Sequence, residues 1–291
     1  MTTTHAVWER ENIGVDAWEI ALDAQDTIEA LAEEEKRIIA EGAEYIVLKS
    51  PVNCPKLLFG LPELGYTYVE TVFHVEIRRK DYHMPDIIAR FDRGLTVAER
   101  TDPDNQARID RIIRSGIFIS DRVSIDPAFS VSLGGRRYAN WLRSMVEKGG
   151  RLYEVLQGEK PIGFFVICRK DEDTMDPVLM AMYDQQNDRG LGALLHKKTL
   201  DTCFTHECKR LTSTIVSNNS KVLRVYVNAG ATISDTLYTY VKHVKAEECR
   251  GVGEESDAYL YHQRMHAAGK NAGPGAEAAP RRQLSSGGES V

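Results

Sequence analysis

No run of about 18 apolar residues occurs anywhere in the chain, and the opening stretch MTTTHAVWERENIG has neither a basic patch nor an apolar segment. Neither a membrane-spanning helix nor a secretory leader is expected, and the protein is read as cytoplasmic. Cysteine is scarce: Cys54, Cys168, Cys203, Cys208 and Cys249 are odd in number and scattered, which does not suggest a disulfide framework. Cys203, His206 and Cys208 tempt a zinc reading, but three ligands in one helical interval without a second pair do not make a site, so no metal is expected. No sign of charge dominates. Lys and Arg total 37 against 43 Asp and Glu, interspersed, for a net charge of -6. That balance gives no basic footprint for nucleic acid and no attraction to an anionic membrane, so any anionic ligand must be held locally.

What is present is 42% hydrophobic content in 291 residues, enough for one large core or two modest ones. Residues 1–80 read as a small α/β domain. Ile28, Leu31, Ala32, Ile38 and Ile39 recur at helical spacing ahead of Gly42, the strand Tyr45 to Leu48 follows, and a short helix is expected near Leu57 to Leu64. Thr67, Val69, Thr71, Phe73, Val75 and Ile77 then alternate with Tyr68, Glu70, His74 and Glu76, the pattern of a long strand with one buried face. Trp8, Trp18 and His74 are read as packing or surface residues. Residues 81–105, charged and carrying Pro85, Gly94 and ERTDPDN, read as a linker. A second domain is expected over 106–245, and an extension over 246–291 that is disordered from about 269, where GKNAGPGAEAAPRRQLSSGGESV has too little apolar surface to offset its ordering entropy.

Within the second domain, helices are expected around Ile109 to Ile113 and over RRYANWLRSMVEK, ended by Gly149. Strands Leu152 to Gln157 and Ile162 to Cys168 form a hairpin about GEK, and Val178 to Tyr183, apolar without alternation, suits a central strand covered on both faces. The next stretch, YDQQNDRGLGALLHKK, places Gly190 and Gly192 where that strand gives way to a helix. Unpaired N–H groups and the positive end of the dipole make a helix N-terminus an anion site, and glycine lets a phosphate come close. A strand at Leu211 to Val216, a helix beginning near Asn219 with Val222, Leu223 and Tyr226 on its buried side and Gly230 after its end, and a strand Ile233 to Val241 complete the pattern.

Asn187-Asp188-Arg189-Gly190-Leu191-Gly192 resembles the Q/R-x-x-G-x-G/A loop of the GNAT acetyltransferase superfamily, and Asn219 to Tyr226 with Gly230 resembles its N-x-x-A-x-x-x-Y-x-x-x-G helix. Asn187 stands for the usual Gln or Arg, and Val222 for the usual Ala. The layout is most similar to the dTDP-fucosamine acetyltransferases and other amino-sugar N-acetyltransferases, which also carry a small α/β unit first and a segment like Arg137 to Leu142.

The resemblance implies a mixed, mostly antiparallel sheet flanked by helices and transfer of an acyl group from acetyl-CoA or another acyl-CoA to a small-molecule amine. It implies cofactor contacts from Met182, Tyr183, Asn187, Arg189, Gly190, Leu191, Gly192, Ala193, Asn219 and Tyr226. A backbone N–H near Met182 or Tyr183 would polarise the thioester carbonyl, Tyr226 would protonate the departing thiolate, and Asn219 would orient the pantetheine arm or cap its helix. Asp121, Asp126 and Asp184 lie where they could border the acceptor, and no general base stands out. The acceptor is read as an amino-sugar nucleotide; a peptide or natural-product amine with a longer acyl donor, and a non-catalytic acyl-CoA-binding module, stay open. A homodimer is also open, and no nucleic-acid or membrane partner is expected.

Overall fold

The computed structural model describes residues 1–92, 94–184 and 190–244. The chain begins with β1 (Thr2–His5), α1 (Val7–Ile13), β2 (Ala17–Ala21), α2 (Ile28–Ala40), β3 (Tyr45–Pro51), α3 (Pro55–Gly60) and β4 (Thr67–Arg78). It continues through α4 (Asp86–Phe91), β5 (Leu95–Glu99), α5 (Pro103–Arg114), α6 (Arg122–Ile125) and α7 (Val131–Glu147). The described residues then complete β6 (Arg151–Gln157), β7 (Lys160–Arg169), β8 (Thr174–Met182), α8 (Leu191–Thr205), β9 (Arg210–Val216), a 3-10 turn at Ser217–Asn219, α9 (Ser220–Asn228) and β10 (Thr232–His243).

The strands join one sheet in the order β1-β2-β3-β10-β4-β9-β8-β7-β6-β5. Only β2 with β3 and β8 with β9 run parallel, so the mixed, mostly antiparallel sheet expected from sequence is present. It runs without a break across residue 80, because β4, near the start of the chain, lies between β10 and β9. The segment 81–105, expected as a linker, instead holds α4 and β5, with Leu95 buried and β5 paired along β6 at the sheet edge. Such short, charge-rich elements are stabilised by docking onto the sheet, which local patterning does not report.

Helices cover both faces. One face carries α1 and α6, where Ile13, Val123 and Phe129 pack on Tyr45, Val47 and Val241, and also α5 and α7, where Ile109, Ile113, Ala139 and Leu142 pack on Phe164, Val166 and Leu179. The other face carries α2 and α3 over Ile20, Ile46 and Leu48, and α8 and α9 over Val75, Phe165 and Leu211. The helices start where sequence chemistry allows. Thr27 caps α2 by accepting from the Ala30 N–H, and Asp102 caps α5 by accepting from that of Asn105, each contributing about 1 kcal/mol. Among the described residues no helix is long and apolar enough to cross a membrane.

Candidate active site

β8 and β9 are the parallel neighbours at the middle of the sheet, and they pair only through Thr174 with Arg210 and Met175 with Leu211. Beyond those two pairs the strands separate. A bulge at Val178 shifts β8 against β7. The extra residue reverses which side chains face which way: Met175 and Met180 pack under α8, while Leu179 and Ala181 pack under α7. The gap opens into a cavity of about 730 Å³ that runs beneath α7, past Trp141 and Ser144, and through the sheet to Tyr226 and His196. A second cavity of about 310 Å³ shares Trp8, Lys49, Arg122 and Arg137 with it.

Tyr226 stands on α9 at the gap. It is 1% exposed, meets the His196 ring edge-on with centroids 5.8 Å apart, and its hydroxyl has no hydrogen-bond partner among the described residues. Burial pushes the phenol well above its ordinary value, with the Ser213 hydroxyl opposing the rise. The group therefore stays protonated. It is a weaker acid than a free phenol, so a hydrogen bond to developing thiolate charge is easier for it than complete transfer. Asn219 lines the same cavity and makes no capping bond to α9, which leaves its amide available to a ligand.

Gly190 caps α8 with φ of +84°, in the left-handed region that favours glycine, and open space lies where a side chain would project. Leu191, Gly192 and Ala193 form the first turn of α8, so the turn expected to face an anion is built as the sequence suggests. Asn187 and Arg189 lie outside the described residues, as does the whole extension from 245.

Several expected residues are placed elsewhere. The Tyr183 N–H already donates to the Ile162 carbonyl at 3.0 Å, so it is not a free oxyanion donor. Its hydroxyl donates to Glu154, a fully buried carboxylate that also accepts from Arg100 Nε at 2.8 Å and Arg108 at 2.7 Å. Burial alone would raise the Glu154 carboxyl, but Arg108, Tyr183 and Arg100 together hold it below its usual range. Tyr183 thus closes a structural network, and neither it nor Met182 reaches the cavity, whose β8 wall runs from Asp176 to Met180. Asp126 is also withdrawn. It bonds His243 at 2.8 Å and accepts from the Ala128 N–H at 2.9 Å, tying α6 to β10 away from the cavity. Asp184 is exposed past the end of β8. Asp121 does line the cavity, while accepting from the N–H groups of Val123 at 2.7 Å and Ser124 at 3.2 Å.

The cavity also holds residues that patterning assigned to packing or solvent. Trp8 lines it beneath the Arg137 guanidinium, 5.3 Å from the ring, and His74 lines it while bonding the Thr214 hydroxyl at 3.2 Å. Glu70 lines it from β4, where alternation placed it on a solvent side. It is 5% exposed, its Oε2 is buried without a partner among the described residues, and burial pushes its carboxyl up to about 7. Around this end, buried Glu9 on α1 is gripped by Arg122 and by Arg137 at 2.8 Å, whose charges outweigh the effect of burial and keep its carboxyl low. Cys203 and Cys208 are buried thiols away from the cavity, the latter donating to the Cys203 carbonyl at 3.4 Å, and His206 bonds the Tyr153 hydroxyl at 3.2 Å.

No family model matches the chain, and no curated protein matches it by sequence. Solved structures do resemble it. A functionally unknown conserved protein from Staphylococcus epidermidis matches with a TM-score of 0.54 at 12% identity, over 78% of this chain and 84% of that one. A GCN5-related glucosamine N-acetyltransferase region of a fungal multi-domain GH3 β-N-acetylglucosaminidase matches with a TM-score of 0.51 at 13% identity, over 73% of this chain and 27% of that one. A GCN5-related N-acetyltransferase from Kribbella flavida aligns over 78% of this chain and 80% of its own at 16% identity, with a TM-score of 0.49. The fold, with its parted parallel strands, is of the GCN5-related N-acetyltransferase type.

Proposed function

We propose that the protein is an acyltransferase that moves an acyl group, acetyl in the simplest case, from coenzyme A to a primary amine. The observation that carries this reading is the gap between β8 and β9, with the buried Tyr226 hydroxyl beside it and the Gly190 turn opening α8 beyond the C-terminal end of β8, the end toward which the strands part. Acyl-CoA is the donor substrate. The first turn of α8 would hold its pyrophosphate by backbone N–H groups, Asn219 would meet the pantetheine amides, and the Tyr226 hydroxyl would donate to the thiolate as the C–S bond breaks. The acceptor enters from beneath α7, where Asp121 faces the cavity.

An amino-sugar nucleotide is the acceptor class we favour. A sugar amine is less basic than a lysine near 10.4, so its deprotonation asks less of the site, and the cavity of about 730 Å³, with Glu70, His74 and Asp121 in its wall, is roomy enough for a sugar ring. The glucosamine N-acetyltransferase region of similar fold and the likeness to dTDP-fucosamine acetyltransferases support the same class. The second cavity, continuous in its lining with the first, favours the alternative of a longer acyl chain or a peptide amine.

Calorimetry with acetyl-CoA tests the donor assignment. Wild type should bind, and Gly190→Glu should lose affinity by 10²-fold or more, because a side chain is strained at this φ and a carboxylate repels the pyrophosphate. Equal affinity in the two proteins would refute the assignment.

A further inference from the structure

We propose that Glu70, delivered into the catalytic sheet by the N-terminal part of the chain, is the general base that deprotonates the acceptor amine; the proposal rests on the acyltransferase reading above. β4 lies against β9, whose parting from β8 makes the gap, and Glu70, Val72 and His74 line the cavity while Phe73, Val75 and Ile77 pack on the opposite side under α8 and α9. The carboxylate therefore stands on the α7 side of the sheet and Tyr226 on the α9 side, with the gap between them. A register shift places Val69 outside the pairing of Tyr68 with Tyr240 and Glu70 with Thr239. Glu70 shares its face with Val72 and His74 as alternation requires, while the bulge brings Val69 onto that face as well, toward α6; the carboxylate is interior because that face is covered.

The surroundings suit a base and not a fixed ion pair. The two guanidiniums nearest in charge, Arg122 on α6 and Arg137 on α7, are both spent on Glu9 of α1. Asp121 on α6 adds a like charge and Asn218 offers one amide, while Lys49 on β3 is held by Glu19 at 2.7 Å and His74 by Thr214. What remains is a buried carboxylate in the cavity wall, with one oxygen that has no hydrogen-bond partner among the described residues and an affinity for protons near neutrality.

In the step this allows, Glu70 takes one proton from the acceptor ammonium, and the freed nitrogen lone pair forms the C–N bond at the thioester carbonyl. The C–S bond then breaks while the Tyr226 hydroxyl donates a hydrogen bond to the departing thiolate, and the thiolate takes the surplus proton from the amide-forming nitrogen. The Glu70 proton returns to water.

The experiment measures thiol release by the full chain with acetyl-CoA and a panel of primary amines: glucosamine, an amino-sugar nucleotide and a lysine-containing peptide. For wild type, kcat/KM should show an acid limb near pH 7 that keeps its position across amines of different basicity. Glu70→Gln should lose that limb and fall by about 10²- to 10⁴-fold with acetyl-CoA affinity unchanged, and Glu70→Asp should restore part of both. A Glu70→Gln protein that turns over within a few-fold of wild type and keeps the limb would overturn the proposal while leaving the acyltransferase reading intact. Binding of acetyl-CoA without thiol release for any amine would overturn both.

Discussion

Replacing Glu70 with Gln should stabilise the protein at alkaline pH, an unusual expectation for a change at a buried polar residue. The ordinary carboxyl value is 4.5 and the folded value about 7. The fold therefore holds the proton more tightly than the unfolded chain does, and stability is fully present below 4.5 and lost as pH rises through 7. At 1.36 kcal/mol per tenfold, the loss is about 1 kcal/mol at pH 5 and about 3 kcal/mol at pH 8. Gln keeps the shape and cannot ionise. Its stability relative to wild type should then grow by about 2 kcal/mol between pH 5 and pH 8, whatever constant effect the amide has on packing. In a chain of this size that corresponds to a Tm difference widening by about 4 °C. Parallel calorimetric melts of both proteins at the two pH values read it directly. A difference that stays constant, or that shrinks toward pH 8, would show that Glu70 is held as an ordinary ionised carboxylate and would remove the physical basis for its role as a base.

Tyr226→Phe keeps the packing against His196 and removes only the hydroxyl, so kcat should fall by about 10²-fold while calorimetric affinity for acetyl-CoA stays the same; a loss seen only in thermal stability would return Tyr226 to the core. Asp126→Asn should leave the acceptor KM unchanged and lower stability by about 2 kcal/mol in denaturant melts, because the residue links α6 to His243 and not to the cavity; a raised KM with intact stability would contradict that placement.

The parts of the fold that were readable in sequence are those whose signal is local. Gly190 and Gly230 mark helix boundaries through backbone torsion alone, and both have positive φ in the structure. The strand at 178–183 announced itself by being apolar on both faces, and Tyr226 by its distance along a helix from Asn219. What was not readable depends on partners far away in the chain. Leu95 and its short strand make sense only beside Gln157. Tyr183 looked available until Ile162 and Glu154 were seen to use its N–H and hydroxyl. Glu70 looked solvated because alternation in one strand says which side chains share a face, but not what covers that face.

The threading of β4 between β10 and β9 also governs how the molecule can be assembled. Its pairing with β10 joins residues far apart in the chain, as in the contact of Thr232 with Glu76 across 156 positions. The central ladder cannot close until β10 has left the ribosome, and loop-closure entropy makes such pairing slow relative to hairpins like that of β6 and β7. A fragment ending before residue 230 would expose two long unpaired edges, on β3 and β4, and so be prone to associate with other chains. For the same reason the early segment cannot be exchanged or trimmed as a detachable module: a protease cut after Arg78 would leave two pieces held together by the middle of one sheet, able to separate only by unfolding both.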